Sequence, residues 1–237
     1  MTDSPRISDR TTWLKERKAL LVEEKAVTRR LDELARRRRA LPWVKIDKTY
    51  TFDSTDGRVT LGELFDGRSQ LLIYHFMMGP EWAEGCPSCS FWADNFNGVD
   101  VHLAARDTTL LAVSRAPLDA IQSYRSRMGW DFTWVSSLGS DFNMDFGVSF
   151  PEGHRTDVTY NFVPIDDPME EAQGLSTFVK DSNGDVFHTY SSYGRGVDIV
   201  NGAYQLLDLT PKGRDEGDGI MAWLRRHDSY EPGDQTG

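Results

Sequence analysis

The sequence has 237 residues, 39% of them hydrophobic, and a formal net charge of -10. A chain of this length and composition can bury a substantial core. No apolar run approaches the roughly 18 residues that a membrane-spanning helix needs, and the N-terminus lacks the apolar centre of a signal peptide. We therefore expect a cytoplasmic protein with no membrane partner. Its two cysteines are too few for a secreted disulfide scaffold.

The charge is unevenly distributed along the chain. Residues 1–48 hold 14 Lys and Arg against 8 Asp and Glu, which leaves this segment at about +6 and the remainder at about -16. An acidic body repels phosphate backbones, so nucleic-acid binding would be confined to the basic segment. We expect no nucleic-acid partner.

The first element in chain order is a long helix. Between Ser8 and Arg39 there is neither Gly nor Pro, and apolar residues recur at heptad spacing. This pattern predicts one amphipathic helix within an N-terminal segment 1–41, capped by Ser8 or Asp9. Either the helix packs on its own chain or it forms the seam of a homodimer. The heptad residues are Trp13, Leu20, Val27 and Leu34.

After Pro42, short β-branched and aromatic runs alternate with helical segments, which is typical of an α/β domain, here expected over 42–230. The predicted strands are 50–52, 58–60, 70–76, 109–113, 132–135, 175–180 and 186–190. The predicted helical segments are a turn at 61–65, a helix from the cysteines to about Arg106, helices at 118–128 and 197–208, and a turn at 220–226. Residues 151–174 are expected to be irregular and the tail 231–237 disordered.

The two cysteines form the motif Cys86-Pro87-Ser88-Cys89 at a predicted strand-to-helix junction. Residues three apart share one face of a helix, so the two sulfurs can come within bonding reach. The free N–H groups at the helix start stabilise a thiolate at Cys86, which makes it the nucleophile. Cys89, deeper in the helix, keeps a higher pKa and acts as the resolving thiol. Pro87 fixes the first turn, and Ser88 can add a hydrogen bond.

Three other interpretations of the chain stay open. The cysteines can be buried and inert. They can supply two ligands of a copper or zinc site that a histidine such as His188 completes. The domain can also be a non-catalytic adaptor whose N-terminal helix recruits a partner. The redox interpretation needs no bound cofactor and no metal.

A family resemblance accompanies the motif. The segment GCPSCSFWAD, together with the later VFHTYSSYGRGVD and GRDEGDG, resembles a bacterial thioredoxin-like family of unknown function, labelled predicted dithiol-disulfide oxidoreductase. The resemblance implies a thioredoxin-like α/β fold in its peroxiredoxin-like variant, a three-layer sandwich, here with a long N-terminal helix. The redox interpretation of the dithiol, rather than the resemblance, calls for a thiol or disulfide substrate, either a protein or a small molecule, and for an external reductant.

Two positions depart from the wider superfamily. Thioredoxins usually place a cis-proline just before the strand that faces the dithiol, whereas Ser176 stands there in this chain. A cis bond before a non-proline residue costs about 3–4 kcal/mol, so we expect a trans peptide, with the Ser176 hydroxyl still able to meet the dithiol. Peroxiredoxins carry Thr or Ser three residues before the reactive cysteine, and Ala83 stands there. Peroxidase chemistry is therefore disfavoured, although Arg195 could polarise an oxygen instead.

Further candidate substrate-binding residues lie near the motif and near the last strand. Trp82 precedes the motif and would form a docking surface if exposed, or pack in the core if buried. His188, Tyr190 and Arg195 gather at the end of the last strand, where ligands of α/β proteins often bind. They can instead face outward on an edge hairpin. Convergence on Cys86 would suit a small anionic or thiol substrate such as glutathione.

Overall fold

The computed structural model describes residues 6–217 and 219–231, and the chain divides into two compact units, Met1–Pro42 and Trp43–Gly237. The disorder predicted for the C-terminal tail falls, beyond Glu231, outside the described residues. Among the described residues, no helix combines the length and the apolar character needed to cross a membrane.

The first unit consists mainly of helix α1 (Arg10–Arg39). The Asp9 carboxylate accepts hydrogen bonds from the N–H groups of Thr11 and Thr12 at 2.8 and 2.9 Å. This cap satisfies N–H groups that have no partner within the helix, and it confirms the predicted helix and one of its two predicted caps. Taken by itself, the helix buries none of its residues.

The described part of the second unit contains an eight-stranded sheet, a two-stranded sheet and five α-helices. The strands are β1 (Val44–Lys45), β2 (Thr51–Ser54), β3 (Gly57–Thr60), β4 (Gln70–His75), β5 (Thr108–Ser114), β6 (Thr133–Ser136), β7 (Val158–Tyr160), β8 (Val163–Ile165), β9 (Gly174–Lys180) and β10 (Val186–Tyr193). The helices are α2 (Pro87–Ala93), α3 (Asp100–Ala104), α4 (Leu118–Arg127), α5 (Phe142–Asp145) and α6 (Gly202–Leu207), with 3-10 helices at Glu63–Phe65 and Gly194–Val200.

The large sheet has the order β1-β10-β9-β4-β5-β6-β2-β3. Strands β4, β5 and β6 run parallel, whereas β9 is antiparallel to β4, and β10 is antiparallel to β9. Helix α2 follows β4, at the centre of the sheet. The parallel strands β4 and β5, flanked by the antiparallel β9–β10 hairpin and with α2 following β4, form the core of a thioredoxin-like fold. The fold class predicted from the sequence is confirmed.

Successive residues of a strand point to opposite sides of the sheet. The buried strands carry apolar residues at successive positions, so both faces of the sheet are apolar. On one side, called the α2 face below, Tyr74 of β4 packs in a core with Cys89 of α2 and Ile121 of α4. On the other side, called the α5 face, Ile73 of β4 packs in a second core with Phe142 of α5. The sheet therefore lies between two helical layers, as the predicted three-layer arrangement requires.

Two predicted helices are shorter than expected. The helix predicted from the cysteines to about Arg106 is interrupted after α2, because the Asn95 side chain donates to the carbonyls of Phe91 and Trp92 at 2.8 and 3.2 Å. Gly98 then adopts a left-handed φ of 76°. The helix predicted at 197–208 is a 3-10 helix followed by α6. Asn201 is extended between the two and caps α6 with its side chain.

The segment 151–174, predicted to be irregular, contains the β7–β8 hairpin. Its turn residues Asn161 and Phe162 both have positive φ, which suits a tight hairpin turn but usually calls for glycine. The short strand β1 and helix α5 are also absent from the prediction, since each is too short to carry a periodic pattern. The β9–β10 hairpin agrees with the sequence, although β10 extends to Tyr193.

Candidate active site

The dithiol lies where the chain passes from the central strand β4 into α2. Cys86 is the residue just before the helix, and Pro87 occupies the first helical position. The Cys86 N–H donates to the carbonyl of Met77 at 3.0 Å, and the Cys86 carbonyl accepts from the backbone N–H and the hydroxyl of Ser90 at 3.0 and 2.9 Å. The backbone of Cys86 is therefore fixed on both sides.

The loop that precedes Cys86 is held by distant parts of the chain. A Cβ atom at Gly85 would lie 2.7 Å from ring carbons of both Phe76 and Tyr124, so this position requires glycine. The Arg226 guanidinium donates to the Gly85 carbonyl at 2.7 Å and pairs with Glu84 at 2.9 Å. The segment near Arg226 thereby ties the C-terminal part of the second unit to the dithiol loop.

Cys86 has the environment of an acidic thiol. The neighbouring thiol of Cys89 and, to a smaller extent, the N–H groups of Cys89 and Ser88 and the Ser88 hydroxyl lower the pKa of Cys86 to about 6, against an opposing effect of burial. The N–H groups at the helix start lower the pKa of Cys86, as expected from the sequence. The largest cause is the partner thiol, which the sequence-based expectation did not include. At neutral pH Cys86 is mainly a thiolate.

Cys89 has the opposite character. It is fully buried and, like Cys86, carries a free thiol. Burial and, next, the proximity of Cys86 raise the pKa of Cys89 well above its ordinary value. The opposing influences are weaker and come from the N–H of Met77, 3.4 Å from the sulfur, and the hydroxyl of Tyr74. The two sulfurs thus differ strongly in acidity: the partly exposed Cys86 has a lowered pKa and the buried Cys89 a raised one.

Helix α2 is anchored by Trp92 one turn beyond the dithiol. This indole is fully buried and donates to the Val197 carbonyl at 2.9 Å. Its ring lies 5.7 Å from the rings of both Phe91 and Tyr204. Trp92 therefore belongs to the core that positions the dithiol.

The other predicted site residues on or near this face are spread out. The Ser88 hydroxyl helps to lower the pKa of Cys86. Trp82 is half-buried, and its indole donates to the Glu170 carboxylate at 3.0 Å. Tyr190 lies on β10, two strands away from β4. Arg195 is exposed and pairs with Asp198 at 3.4 Å in the 3-10 helix after β10.

Ser176 and His188 lie on the α5 face, with the sheet between them and the dithiol. There they form a chain of three 2.8 Å hydrogen bonds, from His75 Nε2 to Ser176 Oγ, on to Ser191 Oγ and then to His188 Nε2. Neither side chain is brought to Cys86. The described residues include no cis peptide, so the bond before Ser176 is trans, as expected.

This arrangement also bears on the metal alternative. His188, the candidate third ligand, is separated from the cysteines by the sheet. Within residues 6–217 and 219–231, no three His, Cys, Asp or Glu side chains are grouped so that they could hold a metal ion.

Two residues of the site, Met77 and Tyr74, were not predicted from the sequence: the Met77 N–H donates to the buried sulfur of Cys89, and Tyr74 shares the core of the α2 face with Cys89. A signal for Tyr74 was present, because residues two positions apart along a strand share a face, and Tyr74 follows Leu72 by two positions in β4. The shared core joins residues on a strand and a helix, which no local pattern reveals.

Comparison with known proteins identifies the family. Residues 2–230 match the family described as "Bacterial protein of unknown function (DUF899)". The chain belongs to this family. The resemblance seen in the dithiol motif is thereby confirmed, and the family description assigns no activity. No curated protein matches the chain.

Several solved structures are similar to the chain at low identity. A peroxidoxin, BcpB from Mycobacterium tuberculosis, is 13% identical with a TM-score of 0.46, and the match covers 70% of this chain and 96% of that one. A putative thiol:disulfide interchange protein, DsbE from Chlorobium tepidum, is 14% identical with a TM-score of 0.40, over 70% and 94% of the two chains. PrxQ from Xylella fastidiosa is 14% identical with a TM-score of 0.41, over 66% and 89%.

Proposed function

We propose that the protein is a thiol-disulfide oxidoreductase in which Cys86 is the nucleophile and Cys89 the resolving thiol. The observation that carries the proposal is the contrast between the two sulfurs: the more accessible one has its pKa lowered to about 6, and the buried one beside it has its pKa raised. An inert structural pair has no need of such a contrast, because both thiols would simply be buried and protonated.

The reaction follows from these two environments. The Cys86 thiolate attacks one sulfur of a substrate disulfide, forms a mixed disulfide and releases the other substrate sulfur as a thiolate. Cys89 then gives up its proton and attacks the Cys86 sulfur. The Cys86–Cys89 disulfide forms, the bond from Cys86 to the substrate breaks, and the second substrate sulfur leaves. The substrate gains two electrons, the dithiol loses two, and an external thiol reductant restores the reduced pair.

We assign substrate contact to Trp82, Pro87 and Ser88, the predicted residues that lie on or just before the start of α2. The N–H and hydroxyl of Ser88 help to lower the pKa of Cys86, which supports a place for Ser88 beside the reacting sulfur. Ser176 and His188 are left out of this assignment because they lie on the α5 face. Tyr190 and Arg195 are left out because neither is placed against the dithiol. The substrate can be a protein or a small thiol compound.

We further propose that α1 joins two copies of the chain. Its apolar residues repeat at heptad spacing over the whole helix, and none of them is buried within the unit. Replacing Leu20 and Val27 together by Glu should convert a dimer to a monomer in sedimentation analysis while the thiols keep their reactivity. A wild-type protein that is already monomeric would refute this assignment.

Trapping of the intermediate tests the proposed reaction. Reduced protein is mixed with oxidised glutathione and an excess of a thiol reductant, and turnover is compared among the wild type, Cys86→Ser and Cys89→Ser. The wild type should turn over, and Cys86→Ser should be inactive. In a parallel reaction with oxidised glutathione and no added reductant, Cys89→Ser should accumulate a mixed disulfide on Cys86. Turnover by Cys86→Ser at the wild-type rate would refute the proposal. An inert pair or a pure adaptor would produce neither turnover nor trapping.

A further inference from the structure

Arg226 binds the dithiol loop and the helix beside it with all three nitrogens of its guanidinium. Its side chain is largely buried, with 18% exposed. Nη1 pairs with the Glu84 carboxylate at 2.9 Å, and Nη2 donates to the Gly85 carbonyl at 2.7 Å. Nε donates to the hydroxyl of Tyr124, on α4, at 2.8 Å. Three separate acceptors suit the planar fork of an arginine, whereas the ammonium of a lysine is a compact point charge.

The contact with Tyr124 continues to Cys86 through a second hydroxyl. Tyr124 Oη lies 2.8 Å from Ser90 Oγ, and both residues are buried. Ser90 Oγ lies 2.9 Å from the carbonyl oxygen of Cys86. A carbonyl only accepts, so Ser90 gives it the one hydrogen of its hydroxyl, and Tyr124 must then donate to Ser90. Burial raises the pKa of Tyr124, which keeps this hydrogen on the phenol.

The hydrogen bonds from Arg226 to Cys86 therefore all run in one direction. They begin at a guanidinium, which has only donors, and end at a carbonyl, which only accepts. Aligned hydrogen bonds of this kind polarise and strengthen one another. A serine hydroxyl can bind the carbonyl four residues earlier in a helix, but that local contact needs neither a buried tyrosine nor an arginine behind it. We call the series Arg226, Tyr124, Ser90 and Cys86 the Arg226 path.

The segment that carries Arg226 is itself anchored to two helices. His227 Nδ1 lies 2.7 Å from the carboxylate of Asp94, the residue just after α2. Arg127, the last residue of α4, donates through Nε to the Asp228 carboxylate at 2.7 Å. Arg226 therefore reaches the dithiol loop from a fixed position.

Two carbonyls flank the Cα atom of Cys86, that of Gly85 before it and its own after it. Arg226 holds the first directly and the second through Tyr124 and Ser90. A carbonyl oxygen carries partial negative charge and disfavours a thiolate if it turns toward the sulfur, whereas the N–H groups at a helix start favour the thiolate. We propose that Arg226 is a positioning residue for Cys86, which ties back both carbonyls and so keeps the sulfur among the donors at the start of α2. This inference deepens the proposed oxidoreductase function and rests on it.

The test measures the acidity of Cys86 after the contacts of Arg226 are removed. Every protein compared carries Cys89→Ser, so the rate of alkylation by iodoacetamide as a function of pH reports a single thiol. Arg226→Gln should raise the pKa of Cys86 by about one unit, the effect of weakening one hydrogen bond to a charged group. Alkylation should then be about tenfold slower on the acidic side of the profile, with the rate at high pH little changed. Arg226→Lys keeps the charge without the fork and should show most of the same increase.

Tyr124→Phe and Ser90→Ala test the path itself. Each leaves the bond from Arg226 to the Gly85 carbonyl in place, so each should raise the pKa of Cys86 by less than Arg226→Gln does. The double variant should show no larger increase than the greater of the two single variants, because both residues act on the same carbonyl. These two variants also decide the matter if Arg226→Gln does not fold. Increases that simply add would contradict a single path.

Arg214→Gln is the matched control. The Arg214 side chain is 19% exposed and lies 3.8 Å from the ring centre of the buried Tyr204, but it pairs with Asp198 and Asp208. This variant should keep the alkylation profile of its parent. An unshifted profile in Arg226→Gln and Tyr124→Phe would overturn the inference, and so would an equal shift in Arg214→Gln or undiminished acidity in Arg226→Lys. A wild type that fails to reduce oxidised glutathione would instead refute the proposed function, because the alkylation profiles do not depend on turnover.

Discussion

The acidity of Cys86 depends chiefly on the thiol beside it. The pKa of Cys86 falls from an ordinary 9.0 to about 6, and the side chain of Cys89 is the largest single cause. Three pKa units correspond to about 4 kcal/mol of preferential stabilisation of the thiolate. At pH 7 they raise the ionised fraction from roughly one in a hundred to about nine in ten.

Removing the Cys89 thiol should therefore make Cys86 less acidic. Cys89→Ala deletes the hydrogen bond to the thiolate and leaves the N–H groups at the helix start in place. We expect the pKa of Cys86 to rise by about one unit or more, because a hydrogen bond to a charged group is worth about 1.5–3 kcal/mol. Cys89→Ser keeps a hydroxyl donor at the same place, so its increase should be smaller.

The assay is the rate of alkylation of Cys86 by iodoacetamide as a function of pH, followed by mass spectrometry. Each variant holds a single cysteine, so its profile belongs to Cys86, whereas the wild-type profile belongs to the coupled pair. The pKa of Cys86 should be lowest in the wild type, higher in Cys89→Ser and highest in Cys89→Ala. A Cys86 in Cys89→Ala that still titrates near 6 would refute the reasoning and assign the acidity to the helix start.

Three further predictions concern stability and the loop before the dithiol. Burial lowers the pKa of His75 to about 3, so the stability that it contributes is complete above about pH 6.5 and declines as the pH falls. Between pH 7 and pH 5 the wild type should lose about 2 kcal/mol more than His75→Gln in urea denaturation, and equal losses would contradict this. Gly85→Ala should slow alkylation of Cys86 about tenfold by displacing the loop, whereas Gly217→Ala, where a Cβ meets no atom within 4 Å, should leave the rate unchanged. Trp92→Ala should lower the free energy of unfolding by about 3–5 kcal/mol, and a cost below about 1 kcal/mol would mean that this indole does not anchor α2.

The parts of the structure that the sequence predicted are those with a strong local signal. The heptad repeat and the absence of Gly and Pro predicted α1, and the apolar run Gln70–His75 predicted the central strand. The position of Cys86 and Cys89 at a strand-to-helix junction followed from these local patterns and from the motif. Local patterns are therefore sufficient to place the pair at the start of a helix.

The remaining features depend on contacts between distant segments. Whether Ser176 faces the dithiol is decided by strand register, and here Ser176 pairs with Ile73 and shares its α5 face. A β-bulge between His188 and Tyr190 interrupts the alternation of side chains along β10. Counting alternate residues in the sequence therefore does not show which face of the sheet either side chain occupies. The break after α2 depends on how the Asn95 side chain turns back onto the helix. None of these features has a periodic signal in the sequence.

The central claim is that the sulfurs of Cys86 and Cys89 in one chain form a reversible disulfide. The most direct measurement is peptide mapping by mass spectrometry of protein equilibrated across a series of glutathione redox buffers. We predict that a crosslink between Cys86 and Cys89 within one chain appears in a single two-electron transition as the buffer becomes more oxidising. If both thiols stay unlinked in the most oxidising buffer, or link only to other chains, the claim is contradicted.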